Sequence, residues 1–346
     1  MNKRTYNHEP SLQCHTGALD THEIFSEPPA GRGFKSSCRH GLLTAHEAAD
    51  RLMADFGGNQ TFECRQLLDG NQLQKLLVTL HRPTGNDVTP ANGTPIPPGY
   101  HVVYFTPTEA ESSLGRDGTD KTFNASGPFT RRMWAGGTMS WDADADLRVG
   151  DEVTEITRLV SATPKKSRSG GEMVVVEVEK EFVGSRGRAL RDRRSWVFRP
   201  EIDETLVPAK LKALDVDDRA PSASEDIKAD GNGIVRHVQW SPVALFRFSA
   251  LTFNAHKIHY NEDWTRRVEG HAGLVVHGPL NLISMLDYWR DVHGSSPAGI
   301  TYRAMSPLYA GERYQITSKR SEGEAGHEIV VGKSDGTICM KAQVDG

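Results

Sequence analysis

Apolar and polar positions follow two different periods along this chain, and the changes between them outline its elements. Gly273–Trp289 is the longest nearly unbroken apolar run. After His277-Gly278-Pro279 it continues through Leu280, Leu282, Ile283, Met285, Leu286, Tyr288 and Trp289, with Asn281, Ser284 and Asp287 as polar exceptions. Apolar residues on most faces predict a helix buried nearly all round. Proline suits its first position, because the amide hydrogen it lacks would be unpaired there. Far upstream, Leu42–Phe56 reads as a helix with Thr44 as N-cap and Glu47 three residues on, the signature of a capping box, and Gly57-Gly58 stops it. A second short helix is expected in Leu67–Leu80.

Between about 100 and 200 the period shortens toward two, as strands require. His101–Phe105 is a short β-type run, Leu147–Val153 leads into a strand over Thr154–Ser161, and Ala189–Phe198 is another. In Glu172–Phe182 the positions Val174, Val176, Val178, Lys180 and Phe182 alternate with mostly acidic ones. Residues 206–233, charged and rich in small residues and prolines, read as a linker. Beyond it come a strand at Ile234–Trp240, a polar loop, the buried helix, and strands at Gly299–Met305, Arg313–Lys319, Glu328–Lys333 and Thr337–Val344. Ser334-Asp335-Gly336 joins the last two as a hairpin. One long helix wrapped by an antiparallel sheet is the hot-dog arrangement, an α+β fold. The first block repeats the strands but not the helix, whose place near 108–130 is Gly-rich and polar. The expectation is therefore a double hot dog with a degenerate first half. Its parts are an N-terminal extension with short helices (1–95), a first hot-dog domain (96–205), the linker (206–233) and a second hot-dog domain carrying the site (234–346).

Composition narrows the function classes. The 346 residues are 37% hydrophobic and 25% charged, ordinary for a chain with a core. A net charge of −4 points to neither nucleic acid nor a membrane surface, and no run approaches the roughly 18 apolar residues of a membrane span. Cys14, Cys38, Cys64 and Cys339 lie far apart without a C-x-x-C, which favours free thiols in a reducing compartment. The start of the chain has no apolar core of a secretory signal, and Glu9, Asp20, Glu23 and Glu27 make it a poor transit peptide. The three Asn-x-Ser/Thr sequons are then chance matches.

Candidate chemistry sits just before the buried helix, where Asn254, His256 and His259 cluster. The helix start adds orphan N–H groups, among them that of Gly278. Blander readings exist for each. His256 fits a hydrogen-bonded structural histidine, Asn254 an Asx-turn residue, Gly278 a point of close packing, and His277 a residue that merely precedes the helix. His256-x-x-His259 lacks a nearby third ligand for a usual metal site. Arg131 and Arg132, beside Trp134, suit phosphate contacts or a solvated strand end, and the same holds for Arg266 and Arg267.

The segments FSALTFNAHKIHY and EGHAGLVVHGPL resemble the hydroxyacyl-thioester dehydratase type 2 group, relatives of the MaoC-like (R)-hydratases. RRMWAGG (131–137), LRVGD (147–151) and YRAMSPLYAGE (302–312) are similar to further signatures of that group, in the same order. The resemblance implies a double hot dog with its working site in the C-terminal half. It also implies acyl thioesters of coenzyme A or acyl carrier protein as substrates and partners, and no metal or redox cofactor. A mitochondrial location follows from it, with the cytosol as alternative, and a homodimer is left open. The hydratase signature Asp-x-Asn-Pro-aliphatic-His aligns Asn254 with the Asp, His256 with the Asn, Lys257 with the Pro and His259 with the His. His259 is then the expected base and acid for (3R)-hydroxyacyl-thioester dehydration or the reverse hydration. Asn254, an amide that cannot give up a proton, positions oxygen. Gly278 N–H stabilises the thioester oxygen, with His256 and His277 at the substrate. A thioester hydrolase and a non-catalytic thioester-binding subunit are the alternatives.

Overall fold

The computed structural model describes residues 43–82, 88–167, 170–202, 207, 216, 220–228, 233–320 and 326–346. The arm expected over 1–40, and most of the expected linker, lie outside these residues. Helix α1 (Ala45–Phe56) starts as its sequence dictates. Thr44 N donates to Glu47 Oε2 at 2.8 Å while Thr44 Oγ1 accepts from Glu47 N, so both ends of the capping box are closed. Strand β1 (Phe62–Leu67) and helix α2 (Gly70–Thr79, capped by Asp69) follow. After a long loop come β2 (Arg131–Trp141), β3 (Glu152–Lys166), β4 (Glu172–Gly184) and β5 (Gly187–Arg199). The second half holds β6 (Ala223–Lys228), β7 (Ile234–Gln239), α3 (Pro242–Leu251), α4 (Glu262–Arg267) and α5 (Gly278–His293). Strands β8 (Gly299–Ala304), β9 (Arg313–Arg320), β10 (His327–Lys333) and β11 (Ile338–Asp345) end it.

All these strands form one antiparallel sheet in the order β1-β3-β4-β5-β2-β8-β11-β10-β9-β7-β6. The order mirrors itself about the β2–β8 seam: β1, β3, β4, β5 and β2 on one side correspond to β7, β9, β10, β11 and β8 on the other. At the seam Gly136 pairs with Arg303 and Ser140 with Gly299. The second half of the sheet wraps α5, which buries Leu280, Leu282, Ile283, Met285, Leu286, Tyr288 and Trp289. Each such side chain contributes about 1.5–3 kcal/mol when fully buried. The polar exceptions in that helix are satisfied. Ser284 Oγ donates to Leu280 O at 2.8 Å, Asn281 Oδ1 accepts from Tyr314, and Asp287 accepts from the Tyr100 hydroxyl at 2.9 Å and from Arg290 at 2.6 Å. This is the double hot dog that the strand pattern predicts.

Among the described residues the first half has no long helix between α2 and β2, as its Gly-rich sequence suggests. The short 3₁₀ turn Glu111–Ser113 lies in the stretch where that helix would be. Instead α1 packs on β3 and β4, forming a separate core with Phe123, Phe129, Val174, Val176, Val178 and Phe198. Four expectations need correction. His101–Phe105 is not a strand: Tyr100–Val103 is a 3₁₀ turn, because Gly99 enters it with φ of 87° and lies against Leu286 and Ile283 of α5, and the Tyr100 hydroxyl reaches Asp287. Part of the expected linker is β6, an edge strand held by β7 and by the Arg236–Asp226 ion pair. The boundary at 95 cuts through the first half, since β1 pairs with β3 along its whole length. The helix expected over 67–80 is shorter, because Asp69 caps it and Phe62–Leu67 is strand.

Candidate active site

The polar loop after α3 is folded by its own side chains. Asn254 N donates to Ser249 O at 2.8 Å at the end of α3, and Asn254 Oδ1 accepts from His256 N at 3.0 Å. That is an Asx turn, one of the two readings open for Asn254, and it occupies only the amide oxygen. The turn delivers the chain into the 3₁₀ segment Lys257–His259. His259 is buried, and its Nδ1 lies 2.7 Å from Val275 O. A carbonyl can only accept, so Nδ1 carries the hydrogen and Nε2 keeps its lone pair. Val275 is itself pinned, its N–H donating to Ile258 O at 2.9 Å, while the next residue, Val276, bonds Leu308 O at 2.8 Å.

His277 is the N-cap of α5, with its ring stacked on that of His259, centroids 3.6 Å apart. Its Nε2 is 2.9 Å from Ser249 Oγ, and its Nδ1 is buried without a partner. His256 meets His259 edge to face at 5.4 Å, and its Nε2 lies 3.6 Å from Asp117 Oδ2. Burial lowers the pKa of every imidazole here: His259 falls to about 4, His256 and His277 well below the usual value. His271 also falls to about 4, by burial and then by the charge of Arg131. All four are neutral imidazoles at physiological pH.

Gly278 opens α5 and has no side chain for a local reason. A Cβ there would lie 2.8 Å from Cγ of Trp134, on β2 of the first half. Its N–H is one of the helix-start donors that no carbonyl within the helix can reach. Asn254, His256, His259, His271, His277 and Gly278 all line one cavity of about 780 Å³, which runs on past Trp134 into the first half. The sequence-predicted residues of the second half thus converge. Arg131 and Arg132 are engaged by carboxylates: Arg131 binds Glu269 at 2.7 Å, and Arg132 pairs with Asp120 and lies over the Trp196 ring. Arg266 and Arg267 form i,i+4 pairs with Glu262 and Asp263 on α4.

Sequence reasoning missed the loop 115–120, which holds the site from the first half. Lys257 N donates to Asp117 O at 2.8 Å and Lys257 Nζ to Arg116 O at 2.7 Å. Gly118, with φ of 85°, lets the two backbones touch: a Cβ there would sit 2.0 Å from Ala255 O. Trp134 and His271 were likewise unassigned. A signal existed for both, since Trp134 lies inside RRMWAGG and His271 inside EGHAGLVVHGPL.

With this geometry in view, comparison with known proteins is specific. The hydroxyacyl-thioester dehydratase type 2 family matches residues 99–310. The chain belongs to that family. It is 32% identical over 270 residues to mesaconyl-C(4)-CoA hydratase of Chloroflexus aurantiacus, covering 77% of this chain and 88% of the relative. It is 26% identical over 276 residues to the mitochondrial hydroxyacyl-thioester dehydratase type 2 of Schizosaccharomyces pombe, covering 73% and 88%. In structure it resembles a Mycobacterium tuberculosis protein described as a double hotdog, with a TM-score of 0.51 at 11% identity over 84% of this chain and 96% of that one. As a member of the dehydratase family the chain is a hydro-lyase, catalysing the hydration or dehydration of acyl thioesters.

Proposed function

We propose that His259 performs both proton transfers of a syn hydration or dehydration of a (3R)-hydroxyacyl thioester. In the dehydration direction, His259 Nε2 takes the C2 proton and the electron pair moves toward the thioester carbonyl. The resulting imidazolium then protonates the departing hydroxyl, releasing water and restoring the neutral ring. The free Nε2 lone pair, fixed by the Nδ1–Val275 bond, is the observation that carries this reading. A low pKa favours handing the proton on, since the buried imidazolium is costly.

Gly278 N–H, at the positive end of α5, is the proposed donor to the carbonyl oxygen as it gains negative charge; one such donor is typically worth about 10²–10³-fold in rate. The amide nitrogen of Asn254 has its two hydrogens available, because only Oδ1 is consumed by the Asx turn, and we assign it to the hydroxyl or water oxygen. His256 and His277 form neutral walls, and these groups supply every proton transfer the scheme needs without a cofactor. The carrier is proposed to be coenzyme A or acyl carrier protein. Arg199 and Arg303, exposed and lining the same cavity, have no ion pair among the described residues and would face its phosphates. No helix among the described residues is long and apolar enough to cross a membrane. The mitochondrial relative supports a mitochondrial site of action.

The test is the loss of enoyl-thioester absorbance on hydration, with His259→Ala as control. Clear turnover by the wild type that collapses in the variant is expected. Rates indistinguishable from buffer would sink the reading, and release of free thiol would favour a hydrolase.

A further inference from the structure

The two halves of the sheet turn the same face to different surroundings. In the second half that face meets α5 with apolar side chains such as Ile316, Ile329 and Val331. In the first half α1 covers one end, at Val174, Val176 and Val178, and the 3₁₀ turn covers the other, where His101 meets the Phe182 ring. Between them the cavity extends over the sheet, and its floor carries charge. The register sets Thr157 opposite Lys180, Lys180 opposite Asp192, and Val178 opposite Arg194. Lys180 Nζ is 2.7 Å from Glu155 Oε1, and Arg194 binds Asp192 at 2.6 Å, with His101 Nε2 at 3.2 Å from the same carboxylate. Charges this deep are costly unless every polar atom is bonded.

Here they are not all bonded. Glu155, 7% exposed, leaves Oε2 without a partner, and Asp192, fully buried, leaves Oδ1 without one. Trp134 Nε1 and the Tyr302 hydroxyl are also buried and unbonded, although the two rings stack 6.3 Å apart. Of the three hydrogens of the Lys180 ammonium, one is accounted for by Glu155, and Arg194 uses only Nε and Nη2 on Asp192. The spare capacity in this lobe is therefore mainly donor capacity, suited to an oxygen acceptor. Burial also holds the Lys180 pKa below its usual value despite Glu155, so a further negative charge beside it would be stabilising. The lobe is close to the chemistry. A single indole, Trp134, stands between Gly278 on one side and the Arg194 guanidinium, 5.4 Å from its ring centroid, on the other.

We propose that this lobe binds the far end of the acyl group and selects acyl thioesters whose chain ends in a carboxylate over plain hydrocarbon chains of the same length. Lys180, Arg194 and the Trp134 indole N–H are its donors. The inference rests on the hydro-lyase reading of the His259 site, which delivers the thioester to Gly278. A chain of alkyl groups laid over this floor would strip water from the charged pairs and return no hydrogen bond. A carboxylate returns several, from Lys180 and Arg194 hydrogens that Glu155 and Asp192 do not take up.

Two substrates decide it with the full-length protein: trans-2-hexenoyl-CoA and its analogue ending in a carboxylate, trans-2-hexenedioyl-CoA. The expected result is a kcat/KM at least about 100-fold higher for the carboxylate. The double variant Glu155→Gln/Lys180→Met removes both members of one pair, leaving no uncompensated ion. In it that ratio should fall at least about 10-fold, as expected when a buried charged contact is lost. A wild type that hydrates hexenoyl-CoA as well or better overturns the proposal while leaving the hydro-lyase reading intact. If neither is hydrated, that reading fails, and the lobe is judged by binding of the saturated pair. Tighter binding of adipoyl-CoA than of hexanoyl-CoA supports it, and equal affinity overturns it.

Discussion

The imidazoles of His259 and His277 lie face to face, 3.6 Å between centroids and 18° from parallel. Two stacked rings cannot both carry charge, and His277, tied to Ser249 and buried, is held neutral. The stack fixes the plane of His259 from one side while Val275 O fixes its tilt, so Nε2 points one way. Removing the imidazole by His259→Ala is expected to lower kcat by about 10²–10⁴-fold, the usual worth of a positioned acid/base group. The measurement is the enoyl-thioester assay, with circular dichroism to show the fold is kept.

The base must be neutral to accept a proton, so the acid limb of activity should report its folded pKa. With His259 at about 4, kcat/KM is expected to hold steady down to about pH 5 and then fall, instead of declining near the ordinary histidine value of about 6.5. A midpoint near 6.5 in the pH–rate profile would contradict the buried position.

Stability should respond on the same acid side but begin to fall at a higher pH. His256, His259, His271 and His277 all have lowered pKa values when folded. Between about pH 6.5 and 4 the unfolded chain binds protons that the folded one refuses, so stability is full above about pH 6.5 and is lost as pH falls toward 4. His259 alone accounts for up to about 3 kcal/mol. Denaturant unfolding at neutral pH and near pH 5 measures the loss.

Asn254 has two jobs that substitutions can separate. Asn254→Asp keeps the acceptor for His256 N–H but removes the donor proposed for the oxygen. Unfolding midpoints should then match the wild type while kcat falls at least about 10-fold, as expected for a lost hydrogen bond to the reacting group. Activity equal to wild type would overturn the amide-donor role and show that the Asp of the hydratase signature serves equally well at this position.

Gly118 lies outside the catalytic half, yet a side chain there should damage catalysis. In Gly118→Ala the new Cβ meets Ala255 O at a forbidden 2.0 Å and the backbone carries φ of 85°, so the loop bearing His256 and His259 must shift. A displacement of about 1 Å costs on the order of 10²-fold in kcat. Gly233→Ala, which meets nothing within 4 Å, is the control and should behave as wild type.

Much of this was legible in residue order. Helix α5, its Pro279 start, β3, β4 and β5 of the first half, β7 to β11 of the second and the missing first helix follow from periodicity and punctuation, whereas β1 and the seam strand β2 do not. So does the convergence of Asn254, His256, His259 and Gly278, which are close in sequence as well as in space. What escaped the sequence depends on distant partners. Tyr100–Val103 looks like a strand until Asp287 and α5 are placed against it. β6 is uniformly exposed, so it shows no burial alternation and exists because β7 offers an edge. Arg131 and Arg132 suggested phosphate contacts, but Glu269 lies far along the chain and Asp120 gave no signal of its own. The loop 115–120 belongs to a stretch that is merely Gly-rich and polar in sequence, and its role is set by one close backbone contact with residue 255.

The β2–β8 seam has a consequence for how such a chain can change. The groups proposed to transfer protons hang from one side of it, and the walls proposed to meet the far end of the substrate stand largely on the other. Mutations on the first side put the reaction at risk, whereas many on the second alter only which molecules are accepted. The two properties can therefore drift separately, and a protein built this way can adopt a new diet while keeping its old trade.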